Sequence, residues 1–234
     1  LRNASTFQDN NPYFQAMTVE NLSTRVSTFT GGDSGEGLTI GAETVYAVNL
    51  RGPGGPTVNG VAFTDDSAPG VTVSAEWEIL NWVNPNYGNS PNDDALESVM
   101  QSIRWTQTGN GGLETLTVDL ANLSIGAQYE LQLLFAESYA ATRGFDILVE
   151  GSLVAANFSP AAYHGGNSNL GVVLSNTFYA PDDILNIVLT GQWSTFGDRN
   201  PILNAVTLRL IPEPGTLALL AFGVVGVVRR RRAR

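Results

Sequence analysis

The chain has no cysteine, no lysine and a single histidine, His164, in 234 residues. Without cysteine there is no disulfide, thiol nucleophile or thiolate metal site, and a domain of this size needs no covalent staples. One imidazole rules out a zinc centre built on several histidines. Positive charge is also scarce. All twelve basic residues are Arg, and five of them crowd the last six positions. Up to Pro214, seven Arg face twenty-two acidic residues, a net charge of −15. Such a body repels nucleic acid and anionic membrane surfaces. It suits a neutral partner or a cation, or it simply keeps the domain soluble.

Enzyme signatures are missing too. There is no Gly-x-Ser-x-Gly elbow, no His-Glu-x-x-His and no phosphate loop. A Ser–His–Asp triad would have to use His164, which lies in a Gly- and Asn-rich loop. A glycosidase needs two carboxylates about 5–10 Å apart. The twenty-two acids single out no such pair, and the expectation is a protein without catalytic activity.

What is present begins at the C-terminal end. Pro212-Glu213-Pro214 leads into the uncharged run Gly215–Val228, which meets Arg229, Arg230, Arg231 and Arg232. As a helix this run spans about 21 Å, short of a hydrocarbon core about 30 Å thick. The arginines favour the cytoplasmic side, which places everything upstream outside. The order Pro-Glu-Pro, short apolar helix, Arg cluster resembles the PEP-CTERM sorting signal of exported Gram-negative proteins made alongside exopolysaccharide. The resemblance implies recognition by a membrane-embedded exosortase. The inner membrane would then hold only an intermediate, and the helix and arginines would be removed before the body reaches the cell surface or matrix. The first residue is Leu1, and no charged-then-apolar leader follows it. A removed leader, or a longer parent chain, is expected.

Residues 1–37 are polar and rich in Asn, Ser, Thr and Gly, and read as a linker or the end of a preceding unit. From Leu38 the pattern is period-2. The runs are "TVYAVNL" (44–50), "VTVSAEWEI" (71–79), "ETLTVDL" (114–120), "QYELQLLFAE" (128–137), "GFDILVEG" (144–151), "LGVVLSNTFYA", "DILNIVLTG" and "ILNAVTLRL". Five- to nine-residue alternations broken by Gly, Pro, Asn and Asp predict an all-β fold, an antiparallel β-sandwich with a jelly-roll path over 38–210. One stretch, 90–105, has Leu96, Val99, Met100 and Ile103 at helical spacing, with Asn92 as the expected cap. Residues 211–234 form the sorting segment, with one hydrophobic helix. Tyr129, following "LSIGAQ", has the placing of a tyrosine corner, its hydroxyl tied to the chain a few residues upstream.

Leu134–Glu137, Arg143–Asp146 and Asn200–Leu208, in that order, resemble the malectin or malectin-like domain. The family pattern is a strand ending Phe-Ala-Glu, a loop, an Arg-x-Phe-Asp strand and a closing Pro-containing strand. The resemblance covers about 44–210 and implies a carbohydrate-binding sandwich of the galactose-binding-like kind. The span Asp65–Trp105 departs from the family, so its ligand-holding loop aromatics find no matched counterparts here.

Sugar sites combine a flat aromatic face with planar polar groups that read hydroxyls. Four loops offer both. The first holds Trp82, Asn84, Asn86 and Tyr87. The second holds Glu137, Tyr139 and Arg143, and the third Tyr163, His164 and Asn167. The fourth holds Trp193, Phe196, Asp198, Arg199 and Asn200. For each aromatic the competing role is a lid over the core edge. For Arg143 it is a loop-fixing salt bridge with Asp146. No cofactor is expected, although Asp65-Asp66, Asp93-Asp94 and Asp182-Asp183 are loop acids compatible with a structural calcium ion. The readings are three: a surface-sorted carbohydrate-binding protein of the exopolysaccharide or matrix, a structural matrix or adhesion protein without a sugar pocket, and a polysaccharide-active enzyme.

Overall fold

The computed structural model describes residues 24–212 apart from 53, 110, 111, 113 and 138–141. The hydrophobic C-terminal helix expected beyond Pro214 lies outside the described residues.

The strands are β1 (Thr24–Phe29), β2 (Thr44–Asn49), β3 (Thr57–Val58), β4 (Val61–Ala62), β5 (Thr64–Asp65), β6 (Val71–Ser74), β7 (Trp77–Ile79) and β8 (Ile103–Trp105). They continue with β9 (Thr115–Ala121), β10 (Gln128–Phe135), β11 (Phe145–Val149), β12 (Ser152–Phe158), β13 (Gly171–Tyr179), β14 (Ile184–Thr190), β15 (Ile202–Leu203) and β16 (Ala205–Ile211). Helix α1 is Pro91–Met100 and α2 is Pro160–His164.

Two sheets face each other. One runs β1-β13-β10-β16-β2-β5 and the other β12-β11-β14-β9-β6. Their pairings are antiparallel, except for the short parallel β2–β5 contact. Alternation is the cause. On β10, Tyr129, Leu131, Leu133 and Phe135 point between the sheets, where they meet Leu116, Val118 and Leu120 of β9 and Leu185, Ile187 and Leu189 of β14. Each such side chain contributes about 1.5–3 kcal/mol by leaving water. Tyr129 behaves as expected: its hydroxyl accepts from Ser124 N–H at 2.9 Å and pins the turn before β10.

The six-stranded sheet is buried on its other face as well. There Leu134, Val173, Ala47 and Ala205 join Leu38, Ile40 and Phe29 beneath Leu96, Val99 and Met100 of α1. This second core explains two departures from expectation. Residues 24–29, inside the supposed linker, form β1 on the sheet edge, because Phe29 anchors the strand in that core. The α1 cap is Ser90, not Asn92. Pro91 fits the first helical position, and Ser90 Oγ and Asp93 make a reciprocal capping box. A second, five-residue helix, α2, occupies part of the expected third loop.

Candidate functional site

The ends of β10, β12 and β14 and the starts of β11 and β13 bring all four predicted loops to one rim of the sandwich. Hydrogen bonds tie them together. Trp82 Nε1–H donates to Ala136 O at 3.1 Å, joining the first loop to the second. Asn86 N–H donates to Asn169 Oδ1 at 3.1 Å, joining the first to the third. Gly144 N–H donates to Asp198 O at 2.9 Å, and Ser194 Oγ to Gly144 O at 2.7 Å, joining the second to the fourth. Gly144 has to be glycine here, since a Cβ would lie 2.1 Å from the Phe196 ring.

Arg143 is the hub of the rim and is nearly buried. Its Nε lies 2.8 Å from Glu137 Oε2, its Nη2 lies 2.9 Å from Asp198 Oδ2, and Nη1–H donates to Asn200 O at 3.0 Å. Its guanidinium carbon lies 5.5 Å from the Trp82 ring centroid, within cation–π range. The expected Arg143–Asp146 pair does not form. Asp146 instead accepts from Asn157 N–H at 2.7 Å, because the strand turns its side chain toward β12. Asn200 is likewise engaged: its Oδ1 accepts from Thr108 N–H at 2.7 Å.

Beside this hub lies a groove of ≈ 510 Å³, lined by Asn81, Trp82, Val83, Asn84, Gln101 and Ser168. Trp82 is partly buried and packs against both cores, with one side lining the groove. Three amides and a hydroxyl surround it, and the lining carries no charge. Gln101 and Ser168 were not among the sequence candidates. Gln101 follows the last turn of α1 and Ser168 lies in a Gly/Asn loop, so only the three-dimensional closure of the loops reveals them.

The remaining candidates separate. Tyr87 is not a loop platform: it is 7% exposed, 5.4 Å from the Phe29 ring, and part of the second core. Burial, together with the nearby Glu97 carboxylate, pushes its hydroxyl pKa far above the ordinary tyrosine range. Tyr163 is half exposed and stacks on Phe158 at 5.8 Å, a lid over the core edge. Trp193 is 62% exposed. His164 is buried, with Nδ1 accepting from Gly166 N–H at 3.1 Å, and burial pushes its pKa below the ordinary value. Tyr139 lies outside the described residues.

The paired acids have local work. Asp65 Oδ1 accepts from Ser67 N–H at 2.9 Å, Asp66 pairs with Arg104, and Asp182 Oδ1 accepts from Ile184 N–H at 2.9 Å. Asp93 sits with Asp33 and Glu36, their ligand-type oxygens within 4.8 Å of one another. Burial alone would raise the Asp93 pKa. Hydrogen bonds from Gly32 N–H, Ser90 N–H and Ser90 Oγ outweigh it and hold the carboxyl below its usual value.

The Malectin domain model matches residues 44–205, most of the chain. The chain belongs to the malectin domain family. Residues 210–232 match the PEP-CTERM protein-sorting motif, which marks an exported protein. Leu210 and Ile211 at the end of β16 and the exposed Pro212 are its described residues, and Glu213, Pro214 and the arginines lie outside them. Among the described residues, no helix is long and apolar enough to cross a membrane. No curated protein matches the chain in sequence.

Solved structures share this fold. The ANX2 ectodomain from Arabidopsis thaliana is 18% identical with a TM-score of 0.59, over 73% of this chain and 50% of that one. The ANX1 ectodomain from the same plant is 20% identical with a TM-score of 0.59, over 73% and 49%. The chain therefore spans about half the length of these ectodomains. A Bacteroides uniformis beta-glucuronidase is 18% identical with a TM-score of 0.53, over 71% of this chain and 18% of the enzyme. At these identities the likeness is one of fold.

Proposed function

We propose that this malectin-family protein is a non-catalytic carbohydrate-binding protein, sorted to the cell surface and associated with exopolysaccharide or matrix. The observation that carries the reading is the uncharged groove beside Trp82, where an indole and the amides of Asn81, Asn84 and Gln101 line one concave surface. An aromatic wall with a few planar polar groups is what a pyranose needs. Arg143 builds the site and does not touch its ligand, since two carboxylates and a carbonyl already engage its guanidinium. The same pairing supports a non-catalytic role, because Glu137 and Asp198 are held by a cation and serve as rim struts. Trp193, exposed in the fourth loop, is the second stacking candidate. An exosortase-type enzyme would act at Pro212-Glu213-Pro214 from an inner-membrane intermediate.

The test is a glycan array on purified protein, followed by affinity gels on its hits. Trp82→Ala should weaken binding at least about tenfold, the loss of roughly 1.4 kcal/mol. Binding that survives Trp82→Ala unchanged removes the groove from the account, and release of reducing sugar from any hit contradicts the non-catalytic role. Deleting Pro212–Arg234 should abolish surface retention and leave the body folded.

A further inference from the structure

The excursion between β7 and β8 carries a second aromatic feature, outside the groove. Trp77 and Trp105 are register partners on these strands, with ring centroids 6.3 Å apart and planes inclined by 26°. Trp105 is half-buried and packs against the inter-sheet core, while Trp77 is 52% exposed. Single exposed apolar residues are common on protein surfaces and mean little. This one differs in being buttressed. A second indole fixes its orientation, so an open aromatic face is presented with little rotamer freedom left to lose on binding.

Size and charge select the occupant. Two rings offer far less than the roughly 800 Å² per partner of a stable protein interface, but they match the apolar face of one sugar ring. Both arginines beside the ribbon are paired with carboxylates. Glu78 bridges Arg51 at 2.7 Å and Arg104 at 2.8 Å, and Arg104 also pairs with Asp66. Two arginines and two acids leave no positive site for a uronate or sulfate. The acidic body repels polyanions further.

The ribbon also connects this pair to the groove. Ile79 pairs with Ile103, and Trp82 N–H donates to Gln101 O at 2.7 Å. Trp77 and Trp82 are five residues apart, at most about 18 Å along the chain. We propose that the Trp77–Trp105 pair is a second stacking station for the same linear, uncharged glycan that occupies the groove, reached only by chains of several sugar rings. The inference rests on reading the groove as a glycan site. Two linked contacts raise apparent affinity through effective concentration, so the protein favours polymer over short oligosaccharide.

The experiment compares trisaccharides with their polymers (amylose, laminarin, linear xylan and mannan) on wild type, Trp77→Ala, Trp77→Phe and Trp82→Ala, with thermal melts confirming the fold. In whichever series the wild type binds, Trp77→Ala should weaken polymer binding about tenfold or more and trisaccharide binding by less than about twofold. Trp77→Phe should fall between, and Trp82→Ala should weaken both. Equal polymer affinity for wild type and Trp77→Ala overturns the second station and leaves the groove standing, as does an equal loss for trisaccharide and polymer. Wild-type binding to none of these glycans overturns the groove reading and this inference with it.

Discussion

Between the two sheets, the buried side chains are apolar and their neighbours are set by register. At the rim, the segments are joined by buried polar side chains, several of whose partners lie far away in sequence. Leu131 and Leu133 find their core by alternation alone. Asn204, fully buried, instead accepts from Ala136 N–H at 2.8 Å and donates to Met100 O at 2.8 Å and Ser102 O at 2.9 Å, closing three segments at once. Arg143 does the same for the second and fourth loops. The body is a tolerant apolar packing problem, and the rim is a polar network in which each member depends on the others.

The largest expected effect breaks the rim. Arg143→Met keeps volume but leaves the buried Glu137 carboxylate without this cation, and should cost about 3–5 kcal/mol. Urea unfolding measures it. A variant as stable as wild type would mean that the rim's ionic links are not structural. Leu133→Ala in the body should cost about 2–5 kcal/mol through lost burial and a cavity. It should leave glycan affinity unchanged under conditions where the variant is folded, whereas Arg143→Met should lower both. That divergence, read by calorimetry, sharpens the contrast between the two regions.

The smallest effect is the pH response of His164. Burial disfavours its charged form, so the folded imidazole binds a proton more weakly than the unfolded one, whose value is near 6.5. The unfolded chain therefore takes up the proton first. Stability should be level above neutrality and decline as pH falls through 6.5, and His164→Gln should flatten that slope in thermal melts between pH 5 and 8.

The sandwich was legible because period-2 patterning is local: β9 to β11, β13, β14 and β16 all lie where their alternation places them. The tyrosine corner was legible for the same reason, since donor and acceptor are five residues apart. β1 escaped notice because an edge strand has only Phe29 fully buried and otherwise reads as polar. Tyr87 misled because its neighbours are Pro, Asn and Gly, while the core that takes it in is made by β1 and α1. The loops that meet at the rim are legible one by one, since each carries its own aromatic and polar residues. The groove is not, because its lining brings together Gln101 and Ser168, 67 positions apart in the chain, and no local pattern records that. Trp77 and Trp105 likewise meet only after a 28-position detour through α1.

The sorting segment leaves from Ile211, the last residue of β16, which is held between β10 and β2 in the interior of the larger sheet. That exit is at the tyrosine-corner end, opposite the rim. A tether drawn taut from Pro212 while the rim grips a strand of polymer would load β16 lengthwise. The rungs of both ladders run crosswise to that pull, so they share the force, and β16 has two ladders to share it where an edge strand has one. On the proposed function, the molecule would be strung like a link in a chain, gripping at one pole and moored at the other.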